Sequence, residues 1–491
     1  MKTKSLIAML AGATMLAGCN LAPDYARPTG AVPATLPEGG IYPAAATDAP
    51  DVTRIGWRDF FLDPRLRQVI ETGLANNRDL RIAAGNVLQA RAQLRVQRGA
   101  LVPTTTVTGS GTYTNNALGA AGASGGAGTG TGGGTGVGTG AGVGTSSSSD
   151  LEIYSVNAGF SSFELDLFGR VRNLSRAAQE QVFASEEAQR STRISLIAEI
   201  ATAWLTLASD QEQLRVSRET LKTFQQTLNL TTAQFRIGVG SELEVRQAET
   251  SYQAARNDIA TLETRVAQDQ NALNLLVGTT VTADQLPAGF GKEAVTRDAL
   301  PANVSSEVLL RRPDVLQAEH QLIAENANIG AARAAFFPTI SLTATIGTIS
   351  TALSGLFSGG SFTYNAAPGL SLPLFDGGQR KGNLEYARAS QAVAVATYER
   401  SIQTAFREVA DALAQRGTID EQVDAQTARA NAASTAARLS NARFRAGIDS
   451  FLTTLDAQRT AYAAEQQLVT TRLNRANNLV ELYRSLGGGL S

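Results

Sequence analysis

The sequence predicts a mixed α and β fold in which two β-hairpins and two sets of long helices form an internal tandem repeat. Three observations predict it. Residues 99–149 and 334–375 contain no charged residue, although charged residues make up 18% of the chain. Residues 170–237 contain neither Gly nor Pro, and residues 383–446 contain a single Gly. Segments of the first half of the chain reappear in the second half at nearly constant spacing.

The N-terminus predicts a signal peptide over residues 1–18. Two Lys residues precede an apolar stretch that is too short to span a membrane as a helix. The run Leu-Ala-Gly-Cys that ends at Cys19 resembles a bacterial lipoprotein signal, which implies a diacylglycerol group and an N-acyl chain on Cys19. The alternative is an ordinary signal peptide with an unpaired thiol, which is unusual in an oxidising compartment. Residues 19–62 are rich in proline and predict an extended, lipid-anchored linker.

Residues 63–102 predict one periplasmic helix, and the charge-free windows that follow predict transmembrane β-hairpins at 103–166 and 338–375. Apolar residues alternate with Thr and Ser from Ile340 to Ile346, and the alternation resumes from Phe362 to Leu374. Period 2 with one apolar face is typical of a membrane β-strand, where a lipid-facing charge costs about 2–4 kcal/mol. The expected strands are 103–116, 152–166, 338–349 and 362–374. Residues 119–144 hold 14 Gly in 26 residues and predict an extracellular loop of the first hairpin.

Two further segments, 167–280 and 376–491, predict the long helices of repeats one and two. Residues 281–337, between the repeats, predict an equatorial segment and a helix. The apolar stripe of the first long helix repeats every seven residues, as in coiled coils. Its members are Ile200, Leu207, Leu214, Leu221, Leu228 and Phe235. A coiled-coil helix has a second apolar position in each heptad, here four residues after each stripe residue, which we call the second seam. We expect Gln211, Arg218 and Gln225 to occupy it. That pattern favours the wall of a water-filled tube, and an ordinary antiparallel coiled coil is the alternative.

Two glycines, Gly238 and Gly447, interrupt the long helices at matching positions 209 residues apart. Glycine adopts the positive φ that often ends a helix, so we expect a turn at each position. Ser241 and Ser450 then stand where an N-cap would start the next helix.

Composition excludes several functions. The formal net charge is −1, so no basic surface argues for binding to nucleic acid. One His and one Cys argue against a Cys/His metal site, and we expect no metal and no cofactor other than the covalent lipid. We interpret His320 as structural. No carboxylates at catalytic spacing stand out, so we expect that the chain is not an enzyme.

Four strands do not close a barrel. In lipid the edge groups of a sheet must be satisfied, and known single-chain barrels have at least eight strands. Several copies must therefore share one barrel, and two, three or four copies would each supply enough strands.

Several motifs resemble the TolC-like outer-membrane efflux proteins, in particular the OprM-like, NodT-type lipoprotein branch. They are Arg311-Arg312-Pro313-Asp314-Val315, Phe336-Phe337-Pro338, Leu372-Pro373-Leu374-Phe375-Asp376-Gly377-Gly378 and Leu455-Asp456-Ala457-Gln458-Arg459. The resemblance implies a homotrimer in the outer membrane, in which a twelve-stranded β-barrel continues into a long periplasmic α-helical barrel. It also implies the exit duct of a tripartite efflux pump for small molecules such as drugs. The partners would be a periplasmic adaptor protein and an inner-membrane transporter of the resistance-nodulation-division type.

The resemblance also places a periplasmic aperture just past the second turn. Leu452, Asp456 and Arg459 are spaced four and three residues apart and share one helix face. Matching positions line the constriction in the family. We expect Leu452 to form an apolar ring, Asp456 a cation-attracting ring, and Arg459 or a base of a neighbouring chain to offset the acidic charge. The repeat-one counterparts are Leu243 and Gln247, so the charge is not duplicated.

Two alternatives remain at this stage. One is the outer-membrane channel of a type I protein secretion system, which would share the fold. The other is a periplasmic scaffold lipoprotein, which would have no reason to exclude charge from two hairpins.

Overall fold

The computed structural model describes residues 20–43, 55–114, 151–290, 295–297 and 305–488. The chain divides into two compact units. Unit one comprises residues 1–25, 92–179 and 324–390, and unit two comprises residues 26–91, 180–323 and 391–491. The predicted signal peptide, Cys19 and the glycine-rich segment 119–144 lie outside the described residues.

The described elements follow the predicted order along the chain. The helices are α1 (Trp57–Phe60), α2 (Pro64–Asn76), α3 (Arg78–Gly99), α4 (Arg170–Arg236), α5 (Glu242–Val277), α6 (Pro313–Ala334), α7 (Gln379–Arg445) and α8 (Phe451–Ser485). The strands are β1 (Thr106–Thr114), β2 (Leu151–Leu165), β3 (Thr339–Ser350) and β4 (Phe362–Ser371). Two short 3₁₀ helices occur at Ser306–Arg311 and Leu353–Gly355. Among the described helices, none combines the length and the hydropathy needed to cross a membrane.

The four strands of unit one form one antiparallel sheet in the order β1-β2-β3-β4. Residues paired across strands share a face, and the register places Leu342 between Phe163 and Pro368, and Ile346 between Ala158 and Tyr364. Val107 of β1 pairs with Ala158, so apolar residues of all four strands share one face. Near the ends of the strands the separation is less strict, because Glu152 lies on this face and Ile349 on the other. The opposite face carries Thr, Ser, Asn and Gly, as in the row Thr108, Asn157 and Gly347.

Strand β2 departs from strict alternation. A bulge between Phe160 and Phe163 shifts the register against β3, and Ser162 has φ 54°, the one positive φ of a described non-glycine residue. The backbone N–H of Ser162 donates to Thr343 Oγ1 at 3.0 Å. Because the bulge adds one residue, both phenylalanines remain on the apolar face.

Strand β4 is shorter than predicted. It ends at Ser371, and Leu372 and Leu374 lie beyond it in the connection to α7. Pro373 has no backbone N–H to donate to a ladder, which explains why the alternation continues in the sequence but the strand does not.

The predicted helix 63–102 is in fact two helices separated at Asn77. The Asn77 side chain accepts a hydrogen bond from Leu80 N at 2.9 Å and so caps α3, while it donates to Leu276 O at 2.8 Å. Asn77 has φ −58° and ψ 137°, outside the helical range. Because the Asn77 side chain caps α3 and also binds a carbonyl group of α5, it stabilises the interruption between α2 and α3.

The N-terminal segment, which we define as residues 20–43, is packed rather than free. In unit one, Asn326 donates to Pro23 O at 2.7 Å. In unit two, Arg27 forms a bidentate ion pair with Glu319, both contacts at 2.8 Å, and Leu36 is buried. The prediction of an extended linker over 19–62 is wrong at α1, where Trp57 and Phe60 are buried. In residues 20–43, contacts with α6 and α7 hold the segment in place.

The buried seam of α4 also differs from the expected one. Ile200, Leu207 and Leu214 are buried, as their spacing predicts. Toward the end of the helix, Ser217 and Phe224 are buried, followed by Thr227 and Thr231. From Leu207 onward the second seam therefore lies three residues after each stripe position, but after Ile200 the buried residue is Trp204, four residues on. Of the predicted stripe, Leu221 and Leu228 are only half-buried and Phe235 is exposed. The residues expected in the second seam, Gln211, Arg218 and Gln225, are not in the buried set of α4.

The family motif around Arg312 has a structural role in unit two. Arg312 is buried and donates to Asp314 Oδ2 and Glu408 Oε2, each at 2.8 Å, and to Ser485 O at 2.6 Å. The guanidinium thus joins α6, α7 and α8. A buried charge with these partners is satisfied, whereas removal of one partner would leave it uncompensated.

His320 belongs to α6 and its side chain contacts α4. Its Nδ1 contacts Glu180 Oε2 at 2.8 Å, and its ring lies 5.3 Å from that of Phe183. The hydrogen bond to Glu180 raises the pKa of His320 above its ordinary value, with a further contribution from Glu187. These contacts agree with the interpretation that His320 is structural.

Candidate functional site

The candidate site is built where α4 meets α5 and where α7 meets α8. Gly238 has φ 78° and Gly447 has φ 72°, so both turns use the left-handed conformation that glycine adopts without strain. The N–H of Gly238 donates to Phe235 O, and that of Gly447 donates to Phe444 O. These bonds satisfy carbonyl groups at the end of each long helix.

Serine caps start the returning helices. Ser241 accepts from Glu244 N while the Glu244 carboxylate accepts from Ser241 N, which is a complete capping box. Ser450 accepts from Thr453 N at 3.3 Å. The second turn has an additional ion pair, because Arg443 Nε lies 2.9 Å from both carboxylate oxygens of Asp449. That arginine lowers the pKa of Asp449.

A small apolar core joins the ends of the two helix pairs. Phe444, Phe451, Leu455 and Ala248 are buried together, and Leu228 and Leu230 pack against them. The rings of Phe444 and Phe451 are 5.9 Å apart. One face of the first turns of α8 is therefore occupied by packing within the chain.

A neighbouring face of α8 carries the three predicted aperture residues. Leu452, Asp456 and Arg459 are all exposed in the single chain, and Leu452 is 62% exposed. The repeat-one counterpart Leu243 is also exposed, whereas Gln247 is half-buried. The structure thus places the three side chains on one exposed face of α8, where an apolar residue stands one turn from an acidic residue.

Arg459 is held by α5 rather than by Asp456. Its Nε donates to Ser251 Oγ at 3.1 Å. In the described part of the chain, Asp456 forms no ion pair within 4.0 Å. The expectation that Arg459 offsets Asp456 is therefore not met by a direct contact within one chain.

A polar bridge that the sequence analysis missed lies one turn further along α8. The Tyr462 hydroxyl is 2.8 Å from Ser217 Oγ and donates to Asp258 Oδ2 at 3.0 Å. Burial, followed by the hydrogen bond to Asp258, raises the pKa of Tyr462 to about 12. Tyr462 stands three residues after Arg459, a spacing that keeps both on the side of α8 that reaches α5.

The two turns also expose large apolar side chains. Those of the first turn are Phe235, Ile237, Val239 and Leu243, and the second turn adds Ile448. Together with Leu452 they form what we call the tip surface. Clustered exposed apolar residues of this size mark interaction sites more often than free surface.

No metal centre is formed by the residues that the structure describes, because no group of three or more His, Cys, Asp or Glu residues is arranged to hold an ion. Cys19, the predicted lipidation site, lies outside the described residues.

Comparisons with known proteins agree with this architecture. The family model described as "Outer membrane efflux protein" matches residues 69–279 and 304–488. The toluene efflux pump outer membrane protein TtgC of Pseudomonas putida is 44% identical over 489 residues, covering 99% of this chain and 96% of that protein. The cation efflux system protein CusC of Escherichia coli is 37% identical over 479 residues, covering 97% and 98%.

The crystal structure of the open state of the Neisseria gonorrhoeae MtrE outer membrane channel is similar to this chain, with a TM-score of 0.83 and 36% sequence identity. The similarity covers 96% of this chain and 99% of that chain. Sequence and structure agree over nearly the whole length of the chain, which therefore belongs to the outer membrane efflux protein family.

Proposed function

We propose that three copies of this chain form an outer-membrane channel that serves as the exit duct of a tripartite efflux pump. The observation that carries the proposal is the sheet of unit one, which has one apolar face, one hydroxyl-rich face and two unpaired edges, β1 and β4. An apolar outer face meets lipid and a polar inner face meets water in a transmembrane barrel.

Closure of that sheet requires other copies of the chain. The unpaired backbone groups of β1 and β4 would be unsatisfied in lipid, and pairing β4 of one copy with β1 of the next removes both edges. Three copies give about twelve strands, a number within the known range for membrane barrels.

The long helices then form the periplasmic tunnel. Helix α4 and helix α7 each contain 67 residues, which corresponds to about 100 Å of helix. We place the two turns at the periplasmic end and the loop 119–144 outside the cell. Cys19 would carry the lipid that anchors residues 19–62 to the outer membrane.

The resting channel would be closed by the exposed face of α8. Three copies of Leu452 would form an apolar constriction that excludes water, and three copies of Asp456 would favour cations. Because Ser251 and Tyr462 connect α8 to α5 and α4, the constriction would widen only if those contacts shift. The channel would be passive and would have no catalytic activity of its own.

The tip surface is where we place the periplasmic adaptor protein, which would connect the duct to an inner-membrane transporter of the resistance-nodulation-division type. An adaptor that covers Phe235, Ile237 and Val239 would remove exposed apolar area from water. We propose small organic molecules as the cargo, a choice supported by the toluene pump named among the relatives.

Two measurements test the proposal. Deletion of the gene should raise cellular accumulation of a fluorescent efflux substrate and of toluene, and the wild-type chain should restore export. In planar bilayers, the purified channel with Leu452→Ala should show higher resting conductance, and Asp456→Ala should weaken cation selectivity. Gln247→Ala, at the repeat-one counterpart of Asp456, is the matched control and should leave selectivity unchanged.

A negative result in the deletion experiment and a negative result in the conductance experiment contradict different parts of the proposal. If deletion leaves accumulation unchanged but abolishes secretion of a protein into the medium, the duct belongs to a type I secretion system. If conductance and selectivity are unchanged in both α8 variants, the constriction lies elsewhere in the tunnel.

A further inference from the structure

A pair of aspartates faces each other across α4 and α5 in unit two. Asp210 lies on α4 and is only 9% exposed, and its carboxyl is within hydrogen-bonding reach of Asp269 on α5. Asp269 Oδ2 is buried and has no hydrogen-bond partner among the described residues. Two carboxylates in contact repel each other unless one of them holds a proton.

Arg265, on α5, is the charged neighbour that favours ionisation of both carboxyls. Helices α2 and α8 also contact α5, but no charged group on either helix contributes to the shifts of this pair. Burial, followed by the charge of Asp210, raises the pKa of Asp269 to about 6, and burial raises the pKa of Asp210. The cationic neighbour is therefore outweighed by desolvation and mutual repulsion.

Repeat two has no acid pair at the positions that correspond to Asp210 and Asp269. The spacing of 209 residues aligns Asp269 with Asn478 and Asp210 with Ile419. Asn478 is buried and donates through Nδ2 to Ala412 O at 2.8 Å and to Gln415 Oε1 at 3.2 Å. Ile419 is also buried.

Repeat two thus joins its helices with an amide donor and an apolar contact. A protonated carboxyl group resembles that amide because it offers a donor as well as an acceptor, although the amide has two N–H donors and the carboxyl group has one O–H. The helix pair does not need two acids for its stability. An acid pair with Asp210 buried and Asp269 half-buried, found in one repeat alone, therefore calls for another reason.

We propose that Asp210 and Asp269 form a proton-dependent latch between α4 and α5, which is closed when the pair shares a proton and loosened when both carboxyls ionise. In the closed state one carboxyl donates to the other across the helix interface. In the loosened state the two negative charges repel, and the interface opens to admit water. Because α5 also binds Arg459 and Tyr462, the latch would make the resting closure tighter at acidic pH, a consequence that rests on the proposed channel function.

The direction of the pH dependence follows from the raised pKa. The native state holds a proton that the locally opened state, with an ordinary aspartate pKa of 3.8, releases. The contribution of the latch to stability is therefore full below about pH 3.8, falls as the pH rises, and is lost above about pH 6. Between pH 5 and pH 7.5 this corresponds to about a tenfold change in the opening equilibrium.

Amide hydrogen exchange of the full-length protein tests the latch directly. Rates in peptides around residues 205–215 and 264–274 are compared at pH 5 and pH 7.5, each relative to the rates of an unstructured peptide at the same pH. Wild-type protection should be about tenfold higher at pH 5. Asp269→Asn should remove most of this difference, because the amide cannot ionise and Asp210 then has no second carboxylate to repel. A His320→Gln background removes the titration of the histidine that contacts α4 at Glu180.

The reciprocal variant is Asn478→Asp, which should install a pH dependence in peptides of α7 and α8 where the wild type has none. Equal protection at both pH values in wild type, or an unchanged pH difference in Asp269→Asn, would overturn the latch. The exchange measurement does not depend on transport. If it succeeds while resting conductance is independent of pH, the latch exists and only its coupling to the channel closure is wrong.

Discussion

Replacement of Gly417 by Ala tests how the N-terminal segment is held on α7. Gly417 lies inside this 67-residue helix, where glycine is normally about 1 kcal/mol less favourable than alanine. A Cβ built on Gly417 would overlap the carbonyl oxygen of Ile41 and would lie 2.8 Å from its carbonyl carbon. Two backbones meet at this point, so a flexible side chain cannot simply move aside.

The magnitude can be estimated from the contacts. The gain in helix propensity applies whether or not the segment is docked, so it cancels from the docking equilibrium. What remains is an overpacked contact, which costs about 1–3 kcal/mol. A cost of about 2 kcal/mol corresponds to roughly a thirtyfold weaker docking equilibrium. Leu36, which is 4% exposed, would be released into water.

Thiol labelling measures this release. In a chain with Leu36→Cys, the introduced thiol is protected while the segment is docked and reacts with a maleimide when the segment opens. Gly417→Ala should speed the reaction roughly thirtyfold. Gly382→Ala is the matched control, because Gly382 lies on the same helix with nothing within 4 Å of its would-be Cβ. A chain without the introduced thiol corrects for any labelling of Cys19.

The two glycine variants must therefore differ. If Gly417→Ala and Gly382→Ala label at the same rate, the close approach of Ile41 to α7 does not hold the segment, and the reasoning is wrong.

Three further predictions concern the sheet, the histidine and the anchor. Leu342→Arg should hinder assembly, since a lipid-facing charge costs about 2–4 kcal/mol at mid-depth, whereas Thr343→Arg should lose only about 1 kcal/mol from the bond to the bulge. Equal yields of heat-resistant oligomer on electrophoresis would contradict the assigned faces. The contact between His320 and Glu180 should stabilise α6 fully below about pH 6.5 and lose this effect as the pH rises through the raised pKa. His320→Gln should remove that difference in hydrogen exchange of α6. Cys19→Ser should abolish lipid labelling, and an intact mass that shows an unacylated Cys19 in the wild-type chain would refute the anchor.

Much of the fold was predictable because its signals are local. The alternation around Leu342 sets strand and face at once, since successive side chains of a strand point to opposite sides. The absence of Gly and Pro over residues 170–237 marks one helix, and the helix indeed ends at Arg236. Gly238 and Gly447 were predictable turn residues because a positive φ strongly favours glycine.

The candidate site was only partly predictable. Spacing alone places Leu452, Asp456 and Arg459 on one face of α8, because a helix has a fixed number of residues per turn. Spacing does not identify what the face meets. That Arg459 binds Ser251, and that Tyr462 binds Asp258, depends on how α8 lies against α5.

The sequence by itself therefore determined most of the elements, their order, the repeat and the apolar face of the sheet, because each depends on a period within one segment. It did not predict α1 or the break at Asn77. Only the tertiary structure decided which helix seam is buried, why Gly417 stands inside α7, and that Asp210 meets Asp269. A seam three residues after a stripe and a seam four residues after it have the same heptad period, so the partner helix decides between them. Contacts between residues far apart in the chain leave no periodic trace, because they depend on packing and not on neighbouring residues.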